Sequence, residues 1–154
     1  MKLIIVRHGE AGVAATDPER ALTANGRQQV QRITQAMKDE LIGSIAYASP
    51  YLRAQQTLEL ISQGLGEQDG QTLAFITPDD APEPVLSWLA LQSDACLMLV
   101  SHQPLVSRLI SLLVDGVESA AYPMDTASIA ILEADVWAKG LARLVSLTHV
   151  VDLD

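Results

Sequence analysis

The chain has a single cysteine, Cys96, in 154 residues, so it can form no internal disulfide and a fold built on such staples is excluded. Cations are scarce too: 10 Lys and Arg stand against 19 Asp and Glu, a formal charge of −9. Nucleic acid and anionic membrane are bound through clustered cations, so neither is expected as a partner. Long apolar runs are also missing. Leu3-Ile4-Ile5-Val6, near the N-terminus, is far too short for a secretory core or a membrane span, and the chain reads as a soluble cytoplasmic protein. No internal repeat, low-complexity tract or linker is present. With 49% hydrophobic residues, this length predicts one folded domain over residues 1–154.

What is present alternates between two periods. Leu3 to Val6, Ile45 to Ala48 and Cys96 to Val100 are short apolar runs that read as strands, the first and last buried on both faces. Residues 10–22 carry Gly12, Asp17 and Pro18 without a clear period and read as a loop. Thr23 is an N-cap for a helix carrying Val30, Ile33, Met37 and Leu41, which Gly43 ends. A second helix follows Ser49-Pro50, with Tyr51, Ala54, Leu58, Ile61 and Leu65 on one face. Leu73 to Ile76 is expected as a further strand, Thr77 to Pro84 as a loop, and Val85 to Leu91 as a short helix. A helix through Leu105, Leu109 and Leu112 follows, then strands over Ser128 to Leu132 and Leu141 to Val150. Strands alternating with helices predict an α/β fold: a three-layer α/β/α sandwich around a largely parallel sheet.

Two of the three histidines stand at strand ends, in Val6-Arg7-His8-Gly9 and Val100-Ser101-His102. Open α/β sheets bind ligands at the carboxyl ends of their strands, so residues distant in sequence converge there. Arg53 lies near the start of the helix after Ser49-Pro50, where free N–H groups and the helix dipole favour an anion. Two imidazoles, two guanidiniums and a helix N-terminus suit phosphoryl transfer through a covalent intermediate. Arginine grips phosphate oxygens with a planar fork and keeps its charge. A neutral imidazole attacks phosphorus through one nitrogen while the other is held as a donor, and nearby cations favour that neutral form. Gly9 would let the backbone pass close to the ring and the phosphate.

At these residues the chain resembles the histidine phosphatase superfamily, with its phosphoglycerate mutase-like fold. The resemblance comprises Arg7-His8-Gly9, Arg20 with Leu22-Thr23 and Gly26, Ser49 with Arg53-Ala54 and Gln56-Thr57, and Ser101-His102. It implies that His8 is the phosphorylated nucleophile and that Arg7, Arg53 and His102 form the phosphate pocket, with Arg20, Gly9 and Ser49 as further binding positions. The compact length and the segment Asp17-Pro18-Glu19-Arg20-Ala21-Leu22-Thr23 are similar to the SixA branch, which implies removal of phosphate from histidine on phosphorelay or phosphotransferase-system proteins. The implied partner is a histidine phosphotransfer or phosphocarrier domain. Larger members carry an added segment with a glutamate general acid, and residues 62–95 here show no such motif. An imidazole leaves a phosphoramidate far more readily than an alcohol leaves an ester, so the missing acid points toward phosphohistidine. Asp17 and Glu10 are the remaining candidates for a general acid.

Other residues read as structural. Cys96 is core packing, Trp88 and Trp137 are anchors, and His149 matches no motif. Two separated histidines lack the carboxylate or cysteine spacing of a metal site, and no cofactor is expected. Two other functions share this pocket: a small-molecule (sugar) phosphatase or mutase, and a non-catalytic phosphoprotein-binding regulator. The chain is expected to act as a monomer.

Overall fold

The computed structural model describes residues 1–153. Six strands form one sheet in the order β3-β2-β4-β1-β5-β6. They are β1 Lys2–Arg7, β2 Ile45–Ala48, β3 Gly70–Thr72, β4 Cys96–Ser101, β5 Ile129–Glu133 and β6 Arg143–Thr148. β1 pairs in parallel with β4, as β2 does with both β4 and β3, whereas β5 pairs antiparallel with β1 and β6. β5 alone therefore runs against the other five, and the sheet is largely parallel. The helices are α1 Ala24–Ala36, α2 Lys38–Leu41, α3 Leu52–Gly64, α4 Pro82–Ala90 and α5 Leu105–Asp115.

Strand alternation divides the core. Leu3 and Ile5 of β1, with Leu97 and Leu99 of β4, face one cluster that includes Val85 and Leu89 of α4 and Leu109 and Ile110 of α5. Ile4, Val6, Met98 and Val100 face the other, against Val30 and Ile33 of α1 and Ala54 and Ile61 of α3. Both faces are thus covered, which is why the strands read as unbroken apolar runs. Trp137 is buried in the first cluster and Trp88 packs edge-on against Tyr47. Among the described residues no helix is long and apolar enough to cross a membrane.

Several boundaries differ from expectation. The third strand is Gly70–Thr72, not Leu73 to Ile76. Leu73 and Ile76 are buried in the turn that follows, so their apolar character marks burial rather than extended pairing. The helix beginning after Thr23 breaks at Met37 and resumes as the four-residue α2. α4 starts at Pro82, inside the expected loop, with proline in its first turn where no N–H is required. The loop over 10–22 contains a 3-10 turn at Asp17–Glu19 and an antiparallel bridge between Ala11 and Leu22.

Candidate active site

Strand register builds the site. Arg7 is paired with Ser101 across β1 and β4, so His8 and His102, the next residues, leave the sheet side by side. Their rings lie 5.0 Å apart. Ala48 pairs with Val100 across β2 and β4, which brings Ser49 to the same edge and starts α3 beside the histidines. Parallel pairing makes the three carboxyl ends coincide, and polar residues confined to those ends must meet.

His8 is 6% exposed, and its Nδ1 lies 2.7 Å from the Gly9 carbonyl oxygen. A carbonyl only accepts, so Nδ1 carries the proton and Nε2 carries the lone pair. Arg53 donates to that Nε2 from Nε at 3.3 Å. Burial lowers the His8 pKa from 6.5 to about 4; the Gly9 hydrogen bond opposes the fall, while Arg53, Arg7 and Arg20 add to it. The ring is neutral near pH 7, the form a nucleophile requires.

Arg53 is 3% exposed, held by Nη1 on the Asp17 carbonyl at 2.7 Å and Nη2 on the Asp17 carboxylate at 3.2 Å. Arg7 donates from Nη1 to the Met124 carbonyl at 2.7 Å, and its Nε is buried without a partner among the described residues. His102 has Nε2 2.7 Å from Ser49 Oγ, and its Nδ1 is likewise buried and unpartnered. Burial first, then His8 and Arg53, lower the His102 pKa to about 2. Arg7 Nε is a donor that a phosphoryl oxygen would satisfy, as is His102 Nδ1 in the tautomer whose Nε2 accepts from the Ser49 hydroxyl. Arg20 lies one step out, with Nε on the Gly12 carbonyl at 2.7 Å and Nη1 on Asp17 Oδ1 at 3.1 Å.

Three of the expected positions make further contacts. A Cβ on Gly9 would lie 2.7 Å from the Gly26 carbonyl oxygen and 2.9 Å from Val30, so the close approach Gly9 permits is to α1. Glu10 accepts from Thr23 Oγ1 at 2.8 Å and Asn25 Nδ2 at 3.1 Å, so its carboxylate serves the start of α1. Desolvation raises the Asp17 pKa, but hydrogen bonds from Arg20 and Arg53 outweigh it and hold the carboxyl below its usual range. Asp17 therefore carries no proton to donate near pH 7.

The segment 122–128 was not anticipated. Met124 holds Arg7, the Ala127 N–H donates to the His8 carbonyl at 2.9 Å, and the Arg7 N–H donates to the Ser128 carbonyl at 3.1 Å. These are backbone contacts, and residue type leaves little trace of them. His149 stands next to this segment, with Nδ1 3.1 Å from Ser128 Oγ and 3.6 Å from Asp125 Oδ2. Thr57 accepts from the Gly9 N–H at 3.1 Å and donates to the Arg53 carbonyl at 2.8 Å, joining α3 to the turn that follows His8. Cys96 is half-buried, and burial raises its thiol pKa, which keeps it protonated and unreactive.

The model of the histidine phosphatase superfamily (branch 1) matches residues 3–74. The phosphohistidine phosphatase SixA of Escherichia coli (strain K12) is 34% identical over 122 residues, spanning 75% of this chain and 76% of that protein. An uncharacterized protein of Picosynechococcus sp. (strain ATCC 27264 / PCC 7002 / PR-6) is 32% identical over 111 residues, or 68% of this chain and 67% of its own. Among solved structures, the protein histidine phosphatase SixA complexed with tungstate superposes with a TM-score of 0.88 at 30% identity, covering 100% of both chains.

Proposed function

The chain belongs to the histidine phosphatase superfamily, a family of hydrolases, and from that premise we propose that it is a metal-independent phosphohistidine phosphatase acting through a phosphorylated His8. One observation carries the reading. The Gly9 carbonyl holds the Nδ1 proton of His8, so the Nε2 lone pair faces the guanidinium of Arg53. A phosphoryl group bound there has the nucleophile on one side and a fixed cation beside it.

In the first step Nε2 bonds to phosphorus while the P–N bond of the substrate breaks, and that bond's electron pair stays on the leaving nitrogen. Arg53, Arg7 Nε and His102 Nδ1 donate to the equatorial oxygens, where charge is spread in the transition state. Ser49 sets the His102 tautomer: if its hydroxyl donates to Nε2, the proton rests on Nδ1 and is available to the phosphate. Arg20, half-buried beside Asp17, meets the phosphoryl group as it enters. In the second step water attacks phosphorus and the bond pair returns to His8 Nε2; the water's two protons leave with the product as dihydrogen phosphate, and the Nδ1 proton stays on the ring, hydrogen-bonded to the Gly9 carbonyl. The arginines and His102 supply the charge stabilisation a metal would otherwise provide, so chelators should leave the rate unchanged.

The substrate is a phosphohistidine on a phosphorelay or phosphotransferase-system domain, met in the cytoplasm by a monomer. The SixA relatives support this substrate class. Rapid acid-free quenching during turnover should trap label on His8, and His8→Ala should abolish turnover with its circular dichroism spectrum unchanged. Full activity in His8→Ala, or label on another residue, refutes the covalent route.

A further inference from the structure

Arg53 connects the nucleophile to a carboxylate. Its Nε lies 3.3 Å from His8 Nε2, and its Nη2 lies 3.2 Å from Asp17 Oδ2. The second Asp17 oxygen is 3.1 Å from Arg20 Nη1, and the side chain is 50% exposed. An anion therefore stands at the mouth of a pocket otherwise furnished for anions. It repels an incoming phosphate ester and competes for the same two guanidiniums. Arg53 does not need it for anchoring, because the Asp17 main-chain carbonyl already holds Nη1 at 2.7 Å.

The chemistry of the donor ring gives the carboxylate a use. A phosphoimidazole expels a neutral leaving group only when its distal nitrogen is protonated, which makes the ring a cation. His8 becomes the same species once phosphorylated, and its distal proton is held by the Gly9 carbonyl. The incoming ring needs a matching acceptor on the opposite side of phosphorus. We propose that the Asp17 carboxylate accepts a hydrogen bond from the distal N–H of the substrate's phosphoimidazolium, and thereby selects phosphohistidine over phosphate esters. This inference rests on the phosphohistidine reading above. As the P–N bond breaks, its electron pair stays on the leaving nitrogen, the distal proton stays on the ring, and neutral imidazole departs with Asp17 ionised throughout. Other nearby carboxylates are engaged elsewhere. Glu10 is bound by Thr23 and Asn25, and Asp125 lies on the Arg7 side, 3.6 Å from His149 Nδ1.

The test compares wild type, Asp17→Asn and Asp125→Asn on free Nε2-phosphohistidine and on p-nitrophenyl phosphate, which has no cationic ring. Asparagine keeps the main-chain carbonyl and a side-chain acceptor, so Arg53 stays anchored. Asp17→Asn is expected to lose roughly tenfold or more in kcat/KM on phosphohistidine, the range of a charge-assisted hydrogen bond. Its kcat/KM on p-nitrophenyl phosphate should fall much less, so that the ratio of the two values drops, and inorganic phosphate should bind more tightly. Equal losses on both substrates would mean that Asp17 only shapes the pocket, and would overturn the proposal. So would an unchanged rate on phosphohistidine, or a selective loss in Asp125→Asn alone. Wild-type enzyme that cleaves p-nitrophenyl phosphate but leaves phosphohistidine intact would remove the substrate reading and this inference together.

Discussion

The protonation of two imidazoles dominates the residue scale. His8 has a folded-state pKa of about 4 and His102 of about 2, both below the ordinary 6.5 of an exposed histidine. The lone pair on His8 therefore survives into mild acid. In the free enzyme, the acid limb of kcat/KM should fall as pH drops through about 4, after allowance for the ionisation of the substrate. A limb centred near 6.5 would mean the ring is less buried than described. Stability follows the same shifts with a defined sign. The unfolded chain takes up protons on these histidines at about 6.5 and the folded one resists until about 4 and below, so stability is complete above that window and declines as pH falls through it. Thermal denaturation between pH 7 and 4 measures it, and replacing His102 by Asn should flatten the slope.

At the scale of elements, the crossing of the β1–α1 connection over α1 holds His8 in place. A Cβ on Gly26 would lie 2.1 Å from the Glu10 carbonyl oxygen, and one on Gly9 would lie 2.7 Å from the Gly26 carbonyl oxygen. Thr23 caps the helix by accepting from the Gly26 N–H at 2.9 Å. Gly26→Ala cannot be relieved by a side-chain rotation, because the obstacle is backbone. It should destabilise by about 3 kcal/mol, seen as a lower urea midpoint at unchanged m-value, and should lower kcat by displacing His8. The resemblance named Gly26, but nothing in its spacing indicated which backbone it must clear. Element positions were legible to different degrees. β1 and β4 are buried on both faces and stood out as apolar runs, whereas the edge strand β3, Gly70–Thr72, is exposed throughout and polar. Hydrophobicity reports burial, so it pointed instead to the buried turn beside that strand.

For the whole molecule, the sheet between two helical layers is the platform that makes distant strand ends coincide. Leu97 is fully buried at the start of β4, facing α4 and α5, at the far end of the strand from His102. Leu97→Ala should cost about 2–5 kcal/mol by chemical denaturation, yet leave kcat little changed in the folded fraction. A large loss of kcat would mean that core packing and site geometry are coupled along the strand. The reversal of β5 is a property of this scale as well. Its sequence reads as any buried strand, and its direction follows from the chain returning through residues 116–128 to pair beside β1.

Sequence was enough to mark where apolar runs stop and polar residues begin: Arg7 closes a strand, His8, Ser49 and His102 each follow one, and Arg53 stands in the first turn of a helix, and that placement is local. It also settled the alternation of elements from which a layered α/β fold follows. Tertiary structure alone decided which nitrogen of His8 carries the lone pair, because a main-chain carbonyl and a guanidinium 45 residues away choose the tautomer between them. It likewise turned Asp17 from a candidate acid into an ion held by two arginines, and enlisted residues 122–128 through backbone atoms. Composition encodes what a side chain can do. Which proton it holds depends on burial and on neighbours that only the folded chain assembles.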